Sequence, residues 1–354
     1  SSIINPSYGT EIGEVLYATK DSANAAVESA YEASKAWAKT GLSFRAELIL
    51  KFRQGIINRS SEIVDICISE AGKTRPDAEA ELDRAVQALT HAAGVQHFFP
   101  TNYSQNVAGG IDIADLRFPI GVVAGVGPFN FPILIPILHS AMALVTGNTY
   151  IAKPSEKVPS ISRLYADIWK EAGLPDGCYN VINGEKEIVE LLVRHEKVDG
   201  LAFIGSTTAA KSLKMLGVEH NTKVQALGGG KNHMIVLPDA DLDMSADAAV
   251  SASFGAAGQR CMAVSVVVAV GDIADDLISK IKARMPDLVM GVTDDEKTQL
   301  GPVISQANKD RIYSFIDSAE PDGASLVVDG RHRSNSLEGC FVGPTLIDNV
   351  KPGM

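Results

Sequence analysis

The sequence has few cysteines, and their scatter excludes two classes of protein. The four cysteines are far apart, form no CxxC pair and show no histidine at metal-ligand spacing: Cys67, Cys178, Cys261 and Cys340. A disulfide framework or a zinc site would need more cysteines, or closer ones. We therefore expect no metal and a reducing compartment, the cytoplasm, in which most free cysteines are small buried hydrophobes.

Long apolar runs are also missing. The longest, Phe131–Leu138, is interrupted by Pro132 and Pro136, and it falls far short of the ~18–20 residues that span a bilayer. The first ten residues, SSIINPSYGT, lack the charged and apolar regions of a signal peptide. The sequence therefore predicts neither a membrane segment nor a signal peptide.

Positive charge is in deficit, because 43 acidic residues outnumber 32 basic ones and give a formal net charge of -11. This balance disfavours binding to nucleic acid or to an anionic membrane. The chain has 354 residues, of which 45% are hydrophobic and 21% charged. Single cores stop growing near ~250–300 residues, so two globular domains are expected.

The order of sequence patterns predicts the α/β class. Asp21 is expected to cap a helix that runs to about Lys39, and residues 44–71 and 77–98 form two further helical stretches. After Arg117, short β-branched runs alternate with helical patterns, which is typical of βαβ units and a parallel sheet. These segments are Gly121–Val126, Ile133–Thr146, Thr149–Ala152, Ile161–Ala172, Cys178–Val181, Ile188–His195, Gly200–Ile204 and Thr208–Leu216.

A second α/β pattern follows Gly228, and it predicts a second domain. Three consecutive glycines, 228–230, indicate a flexible joint, so we expect domains at 1–226 and 227–354. The expected strands and helices of the second domain are Met234–Leu237, Met244–Ala257, Val264–Val270, Ala274–Met285, Ser305–Ala319, Leu326–Val328 and Phe341–Ile347.

Two residues at loop positions are candidates for covalent chemistry. Cys261 follows Arg260 and a glycine-containing turn, and a thiol is already strongly nucleophilic near neutral pH; the alternative is a small buried side chain. Asn130 follows the expected strand Gly121–Val126 in the proline-stiffened loop PFNFP. Its amide could donate to an oxyanion, or it is an ordinary turn residue.

Two further loops after expected strands carry groups suited to a nucleotide. Lys153 and Glu156, in KPSE, could hydrogen-bond ribose hydroxyls, and the carboxylate would favour NAD over NADP; alternatively they are a surface pair that opens a helix. Gly205 and Ser206 precede a helix whose N-terminus could hold a phosphate, although Ser206 could equally be a plain N-cap.

The order of these motifs resembles that of the aldehyde dehydrogenase superfamily. The match rests on PFNFP, KPSE, GST at Gly205–Thr207, LGGGKN at Leu227–Asn232 and GQRC ending at Cys261, and it extends over the whole chain. The resemblance implies a parallel-sheet, Rossmann-like NAD domain, an α/β catalytic domain and an oligomerisation arm at about 105–118. It also implies a homodimer or homotetramer.

The resemblance also implies roles for individual residues. Cys261 matches the nucleophile, and Asn130 with the backbone N–H of Cys261 matches the oxyanion hole. The remaining matches are contacts to the NAD cofactor: the ribose contacts Lys153 and Glu156, the pyrophosphate contacts Gly205 and Ser206, and Gly184 and Phe129 beside the cofactor.

Within the superfamily, QALGGGKNH and GQRCM are similar to segments of the CoA-acylating methylmalonate-semialdehyde dehydrogenases. Hydrolytic members carry a glutamate general base, whose place is taken here by Ala226 or Leu227, depending on the alignment. Neither side chain can take a proton, so CoA is the expected acyl acceptor. The resemblance implies that Arg260 and Arg84 bind the substrate carboxylate, since arginine binds carboxylates bidentately; a helical pair of Arg84 with Glu81 is the alternative.

Family members continue beyond GPTLIDNV with a segment whose glutamate contacts the nicotinamide ribose. The catalytic domain is therefore expected to be incomplete at its C-terminal end. We expect NAD-dependent oxidation of a malonate-type semialdehyde, with transfer of the acyl group to CoA and loss of CO₂. Two alternatives remain: hydrolysis to a free acid, and a catalytically silent NAD-binding paralogue.

Overall fold

A computed structural model describes residues 1–99, 101–334 and 337–354. The chain divides into two compact units. The first contains Ser1, Glu14–Ile63 and Ala80–Gly228; the second contains Ser2–Gly13, Val64–Glu79 and Gly229–Met354. The main division thus follows the first of the three consecutive glycines, and two early segments belong to the second unit.

Helices and strands alternate along most of the chain. The helices are α1 (Lys20–Trp37), α2 (Leu42–Asn58), α3 (Ser60–Ala71), α4 (Arg75–Ala93), α5 (Val95–Phe98), α6 (Leu134–Val145), α7 (Ser160–Ala172), α8 (Lys186–Arg194), α9 (Thr207–His220), α10 (Leu242–Phe254), α11 (Ala274–Arg284), α12 (Gln306–Ala319) and α13 (Arg331–Ser334). The strands are β1 (Ser2–Asn5), β2 (Thr10–Glu14), β3 (Tyr103–Ala108), β4 (Ile111–Ala114), β5 (Val122–Val126), β6 (Thr149–Lys153), β7 (Tyr179–Val181), β8 (Gly200–Ile204), β9 (Lys223–Leu227), β10 (Asn232–Val236), β11 (Val264–Ala269), β12 (Ser325–Val328) and β13 (Leu346–Asp348).

The first unit is organised by a five-stranded sheet in the order β7-β6-β5-β8-β9. All four pairings are parallel. Strand β6 is buried at every position, as expected for a parallel sheet covered on both faces. The predicted α/β class with a parallel sheet is therefore confirmed.

Apolar helix faces cover this sheet. One buried cluster joins β5 and β8 to α1, α8 and α9, with Val27 of α1, Leu192 of α8 and Leu213 of α9 among its members. The helices α2 and α7 meet through Phe52, whose ring stacks on that of Trp169 at a centroid distance of 3.8 Å. These contacts hold the sheet rigidly, so the loops at its edges start from fixed points.

The second unit contains smaller sheets. Strands β10 and β11 pair in parallel, and α10 and α11 pack against them around Val236, Ala249 and Leu277. Strands β12 and β13 form a separate antiparallel pair. Two further two-stranded sheets, β1-β2 and β3-β4, complete the strands of the described chain.

The β3-β4 hairpin occupies the segment expected to form the oligomerisation arm. Both strands are exposed at every position, and Tyr103, Ile111 and Ile113 each expose more than half of their surface. The hairpin belongs to the first unit.

The structure corrects two of the expected helix boundaries. Thr19, and not Asp21, caps α1, with its side chain accepting a hydrogen bond from the N–H of Ser22. The stretch 44–71 is two helices, because Arg59 leaves the helical region at φ -109° and ψ 22°. The serine that follows, Ser60, favours a helix start over a helix interior.

Two strand assignments also change. The sequence pattern predicts no strand at 223–227, yet these residues form β9 and pair with β8. The strand expected at Phe341–Ile347 begins only at Leu346 and ends at Asp348, because Pro344 cannot donate to a ladder. Gly343, moreover, lies so close to Gly330 that an added Cβ would meet the carbonyl oxygen of Gly330 at 2.1 Å.

Packing against a neighbouring side chain, and not contact with a nucleotide, explains why residue 125 is a glycine. A Cβ at this position would lie 1.8 Å from the hydroxyl of Tyr150 on the neighbouring strand. We expect Gly125→Ala to lower the free energy of unfolding by ~2 kcal/mol or more, since overpacking a rigid core typically costs 1–3 kcal/mol. Denaturant unfolding measures this change. Gly127→Ala is the control, because its Cβ would meet only Pro136 at 3.7 Å; equal losses for the two variants would contradict the explanation.

Candidate active site

The candidate residues of the first unit lie where parallel strands end. Val126, the last residue of β5, pairs with Lys153 of β6 and with Phe203 of β8. The N–H of Gly127 donates to the carbonyl of Lys153 at 3.0 Å. The loops after β5, β6 and β8 therefore leave the sheet at one edge, where open α/β sheets bind ligands.

Lys153 is the buried centre of a small polar group. Its side chain is 5% exposed, its ammonium donates to the carbonyl of Gly184 at 2.9 Å, and Glu156 lies 3.8 Å from Nζ. Burial lowers the pKa of Lys153, and the charge of Glu156 opposes this effect. A Cβ on Gly184 would lie 2.4 Å from Cγ1 of Ile188. The structure thus brings together Lys153, Glu156 and Gly184 and leaves the Glu156 carboxylate accessible.

Gly205 and Ser206 form the turn between β8 and α9. A Cβ on Gly205 would lie 2.5 Å from the ring of Phe203, which explains the glycine. Ser206 is exposed and caps α9, its Oγ accepting from the N–H of Ala209 at 3.3 Å. The capping alternative is therefore present in the structure, and a contact of Ser206 with phosphate stays a prediction.

Phe129 and Asn130 lie, half-buried, in the loop between β5 and α6. The following residues are anchored by Glu81, a carboxylate only 2% exposed. Its Oε1 accepts hydrogen bonds from the N–H groups of Ile133 and Leu134, both at 2.8 Å. The hydroxyl of Tyr165 donates to the carbonyl of Ile133 at 3.0 Å. The loop that carries Asn130 therefore leads into the start of α6, where both the N–H and the carbonyl of Ile133 are hydrogen-bonded to side chains.

Arg84 projects from α4 into a cleft of about 360 Å³ between α4 and α6. Its side chain makes no ion pair within the described part of the chain, so the expected alternative, a pair with Glu81, is wrong: Glu81 serves the α6 amides instead. The other lining residues are mainly apolar: Gln87, Ala88, His91, Leu134, Leu138, Ala141 and Met142. An unpaired guanidinium beside an apolar wall suits a small carboxylate ligand.

Cys261 lies exposed in the loop between α10 and β11 of the second unit. The side-chain amide of Asn232 donates to the carbonyls of Cys261 and Ala263, both at 2.9 Å. Gln259 accepts from the N–H of Ile304 at 2.9 Å and donates to the carbonyl of Pro302 at 3.3 Å. Two amide side chains therefore hold the backbone on which the exposed thiol is carried.

The residues just before Cys261 adopt unusual conformations. Ala256 and Ala257 have positive φ angles of 51° and 54°, a region that costs a residue with a Cβ about 1–2 kcal/mol. Arg260 pairs with Asp77, and its guanidinium occupies the space where a Cβ on Gly255 would lie. Arg260 is therefore engaged by an acidic residue, so a substrate carboxylate would have to compete with Asp77.

Four residues that hold the candidate site residues or their loops were not predicted from the sequence: Glu81, Asn232, Gln259 and Asp77. Glu81 carried a usable signal, because it falls on the apolar stripe of α4 formed by Ala78, Leu82 and Ala85, all of them buried. An acidic residue on a buried stripe is rarely left without a specific partner.

No group of three or more His, Cys, Asp or Glu side chains in 1–99, 101–334 and 337–354 could hold a metal ion. Over the same residues, no helix has the length and apolarity to cross a membrane.

Comparisons with known proteins agree with the motif analysis. The profile of the Aldehyde dehydrogenase family matches residues 1–354. A malonate-semialdehyde dehydrogenase of Bacillus pumilus (strain SAFR-032) is 39% identical over 351 residues, covering 99% of this chain and 72% of that protein.

Two solved structures share the fold. A methylmalonate-semialdehyde dehydrogenase from Oceanimonas doudoroffii has a TM-score of 0.97 at 39% identity, covering 100% of this chain and 73% of that chain. A Sinorhizobium meliloti 1021 protein, assigned as a methylmalonate-semialdehyde dehydrogenase and solved with NAD, has a TM-score of 0.96 at 39% identity over the same shares. The similarity therefore includes both units of the chain.

The contrast in cysteine exposure gives a direct test. Cys261 is exposed, whereas Cys67, Cys178 and Cys340 are buried, and burial raises the pKa of Cys178 to about 12. At pH 8 we expect iodoacetamide to modify one thiol per native chain, and peptide mass spectrometry to locate it at Cys261. Cys261→Ala should abolish the rapid reaction, and denaturant should expose the three remaining thiols. Rapid labelling of the native Cys261→Ala variant would contradict the assignment.

Proposed function

Because the chain belongs to the aldehyde dehydrogenase family, we propose that it oxidises a malonate-type semialdehyde through a thioester on Cys261. As a member of this family it is an NAD-dependent aldehyde dehydrogenase, and its relatives include malonate- and methylmalonate-semialdehyde dehydrogenases. The observation that carries the proposal is the exposed Cys261 thiol on a backbone held by Asn232 and Gln259.

The edge of the parallel sheet fits NAD. Glu156 can accept from ribose hydroxyls and its charge would repel a 2′-phosphate, while Lys153 can donate. Gly205 and Ser206 open α9, whose N-terminal amides suit the pyrophosphate. Gly184 and Phe129 complete the proposed contacts. When bound, NAD supplies the hydride acceptor for the reaction.

Cys261 and Asn130 carry the proposed chemistry. The thiolate of Cys261 adds to the aldehyde carbon, and the carbonyl oxygen becomes an oxyanion. The side-chain amide of Asn130 and the backbone N–H of Cys261 donate to that oxyanion. Removal of one such donor typically raises a barrier by ~2.7–4 kcal/mol. With NAD bound as hydride acceptor, the tetrahedral carbon attached to Cys261 would lose a hydride, which would leave a thioester on Cys261.

We propose CoA as the acceptor of the acyl group. The carboxyl end of β9 presents Ala226 and Leu227, which cannot deprotonate a water molecule. The thiol of CoA attacks the thioester carbonyl and releases Cys261. For a malonate-type substrate, the carboxylate leaves as CO₂, a proton from solvent takes its place on the α carbon, and the product is acetyl- or propionyl-CoA.

Arg84 and Arg260 are the proposed ligands of the substrate carboxylate. Arg84 is suited to this role because it has no ion pair in the described residues and lies beside the apolar side chains of Leu134 and Leu138. Arg260 would exchange Asp77 for the substrate. A guanidinium can bind a carboxylate through two parallel hydrogen bonds.

Assembly, location and the domain roles are further parts of the proposal. We propose a homodimer or homotetramer with the β3-β4 hairpin as the arm, and a location in the cytoplasm. We also assign NAD binding to the part at 1–226 and catalysis to the part at 227–354.

The requirement for CoA tests the proposed acceptor. NADH formation from malonate semialdehyde, followed at 340 nm, should need both CoA and Cys261, and acetyl-CoA should accumulate in step with NADH. Cys261→Ala should lower the rate by at least ~10³-fold, since it removes the nucleophile of the reaction.

Other outcomes of this assay separate the alternatives. Steady NADH formation without CoA would show hydrolysis and overturn the acceptor. Thermal stabilisation by NAD without any turnover would favour a catalytically silent NAD-binding protein.

Arg84 should matter only for substrates that carry a carboxylate. Arg84→Leu is expected to raise KM for malonate semialdehyde by about 10–100-fold, because a charge-assisted hydrogen bond to a carboxylate is worth ~1.5–3 kcal/mol. Propanal, which has the same carbon chain without the carboxylate, is the control, and its KM should change less than about twofold. Equal changes for the two aldehydes would argue against Arg84 as the carboxylate ligand.

A further inference from the structure

We propose that Glu81 is the positioning residue that fixes the oxyanion donor Asn130 relative to the carboxylate ligand Arg84. The inference rests on the proposed function, because it takes the roles of Asn130 and Arg84 from there. Glu81 touches neither substrate nor cofactor in this proposal. It acts through the two elements that it joins, α4 and the start of α6.

The link from Glu81 to Asn130 is short and stiff. One oxygen, Oε1, accepts from the N–H groups of Ile133 and Leu134 at 2.8 Å. Only Phe131 and Pro132 separate these residues from Asn130, and the fixed φ of Pro132 limits rotation. A shift of the Ile133 and Leu134 amides is therefore passed on to the side chain of Asn130.

The link from Glu81 to Arg84 is a single turn of helix. The two residues are three positions apart on α4, so they lie on neighbouring parts of its surface. Arg84 lines the cleft whose opposite wall includes Leu134 and Leu138 of α6. The hydrogen bonds of Glu81 therefore join α4 to the start of α6, the end of that helix which follows the loop that carries Asn130.

A carboxylate is chemically suited to this junction. Glu81 is 2% exposed, and burying a charge is costly unless it is hydrogen-bonded. The start of α6 compensates through two N–H donors that have no partner within the helix and through the positive end of the helix dipole. A neutral amide at position 81 could still accept a hydrogen bond, but it would lose the charge that strengthens both bonds.

This arrangement makes the separation between Arg84 and Asn130 a fixed property of the scaffold. A 3-oxo acid must reach Arg84 with its carboxylate and Asn130 with its aldehyde oxygen at the same time. An aldehyde without a carboxylate uses Asn130 alone and can shift to follow it. Loosening the Glu81 junction should therefore affect the carboxylated substrate more than the uncharged one.

The first experiment compares Glu81→Gln with Asp83→Asn in the presence of NAD and CoA. Asp83 is an exposed acidic residue on the same helix, so its variant removes the same charge without touching α6. We expect Glu81→Gln to lower kcat/KM about tenfold for malonate semialdehyde and less than about threefold for propanal, consistent with loss of one charge-assisted contribution. KM for NAD and the rates of Asp83→Asn should stay within about twofold of wild type.

The second experiment places Glu81→Gln in an Asn130→Ala background. If Glu81 acts through Asn130, its substitution should lower the malonate-semialdehyde rate less than about twofold further once the amide is gone, against about tenfold when Asn130 is present, a strong coupling in a double-mutant cycle. If Asn130→Ala lowers activity but the two effects multiply, or if both aldehydes lose activity equally with Glu81→Gln, the inference is overturned and the proposed function stands. If Asn130→Ala itself leaves activity unchanged, the oxyanion role and the inference both fail.

Glu81→Asp covers the case in which the glutamine variant does not fold. It keeps the charge and shortens the side chain by one methylene. Its kcat/KM should therefore fall more for malonate semialdehyde than for propanal, as in Glu81→Gln, but by a smaller factor. Thermal unfolding of each variant confirms that the folded protein is being assayed. A folded Glu81→Asp variant with a wild-type ratio between the two aldehydes would overturn the inference.

Discussion

The parallel hydrogen bonding of β5 to β6 and β8 is the constraint on which the candidate NAD site depends. Because Val126 pairs with both Lys153 and Phe203, three strands end at the same level, and the loops that follow them start side by side. Residues far apart in sequence, such as Asn130, Glu156 and Ser206, are thereby carried on neighbouring loops. The helices α1, α8 and α9 make this edge rigid, since they bury apolar side chains against one face of β5 and β8.

The buried charges of the first unit follow from this arrangement. Lys153 ends β6 and places a desolvated ammonium on the carbonyl of Gly184, and Glu81 places a desolvated carboxylate on the amides that start α6. Neither buried charge contributes much to the stability of the fold, because the cost of desolvation offsets most of the free energy that the hydrogen bonds contribute. Their common feature is that each fixes a backbone segment beside a proposed ligand contact, which a purely apolar contact would do with less directional precision.

Much of the fold was predictable because its signals are local. The strand Gly200–Ile204 was predicted with the bounds that the structure has, and the alternation of strands and helices identified the parallel sheet. The failures arise where tertiary context decides: Lys223–Leu227 is a short strand that is recognisable only through its pairing with β8. Likewise, Pro344 and the close approach of Gly343 to Gly330 shorten the strand expected at Phe341–Ile347.

The candidate site shows the same division between local and distant information. Motifs identified Cys261, Asn130 and Lys153, whose chemistry can be read from residue type and position after a strand. The residues that position these groups could not be identified in this way, because their partners are distant in sequence. Glu81 accepts a hydrogen bond from the N–H of Ile133, which lies 52 residues further along the chain, and Gln259 accepts one from the N–H of Ile304, 45 residues further along. Gln259 and Asn232 lie inside the motifs GQRC and LGGGKN, yet their contacts are with backbone groups. Each motif therefore contains residues of two kinds: those that react and those whose side-chain amides hold the loop in place. The sequence does not distinguish the two kinds, whereas the contacts in the folded chain do.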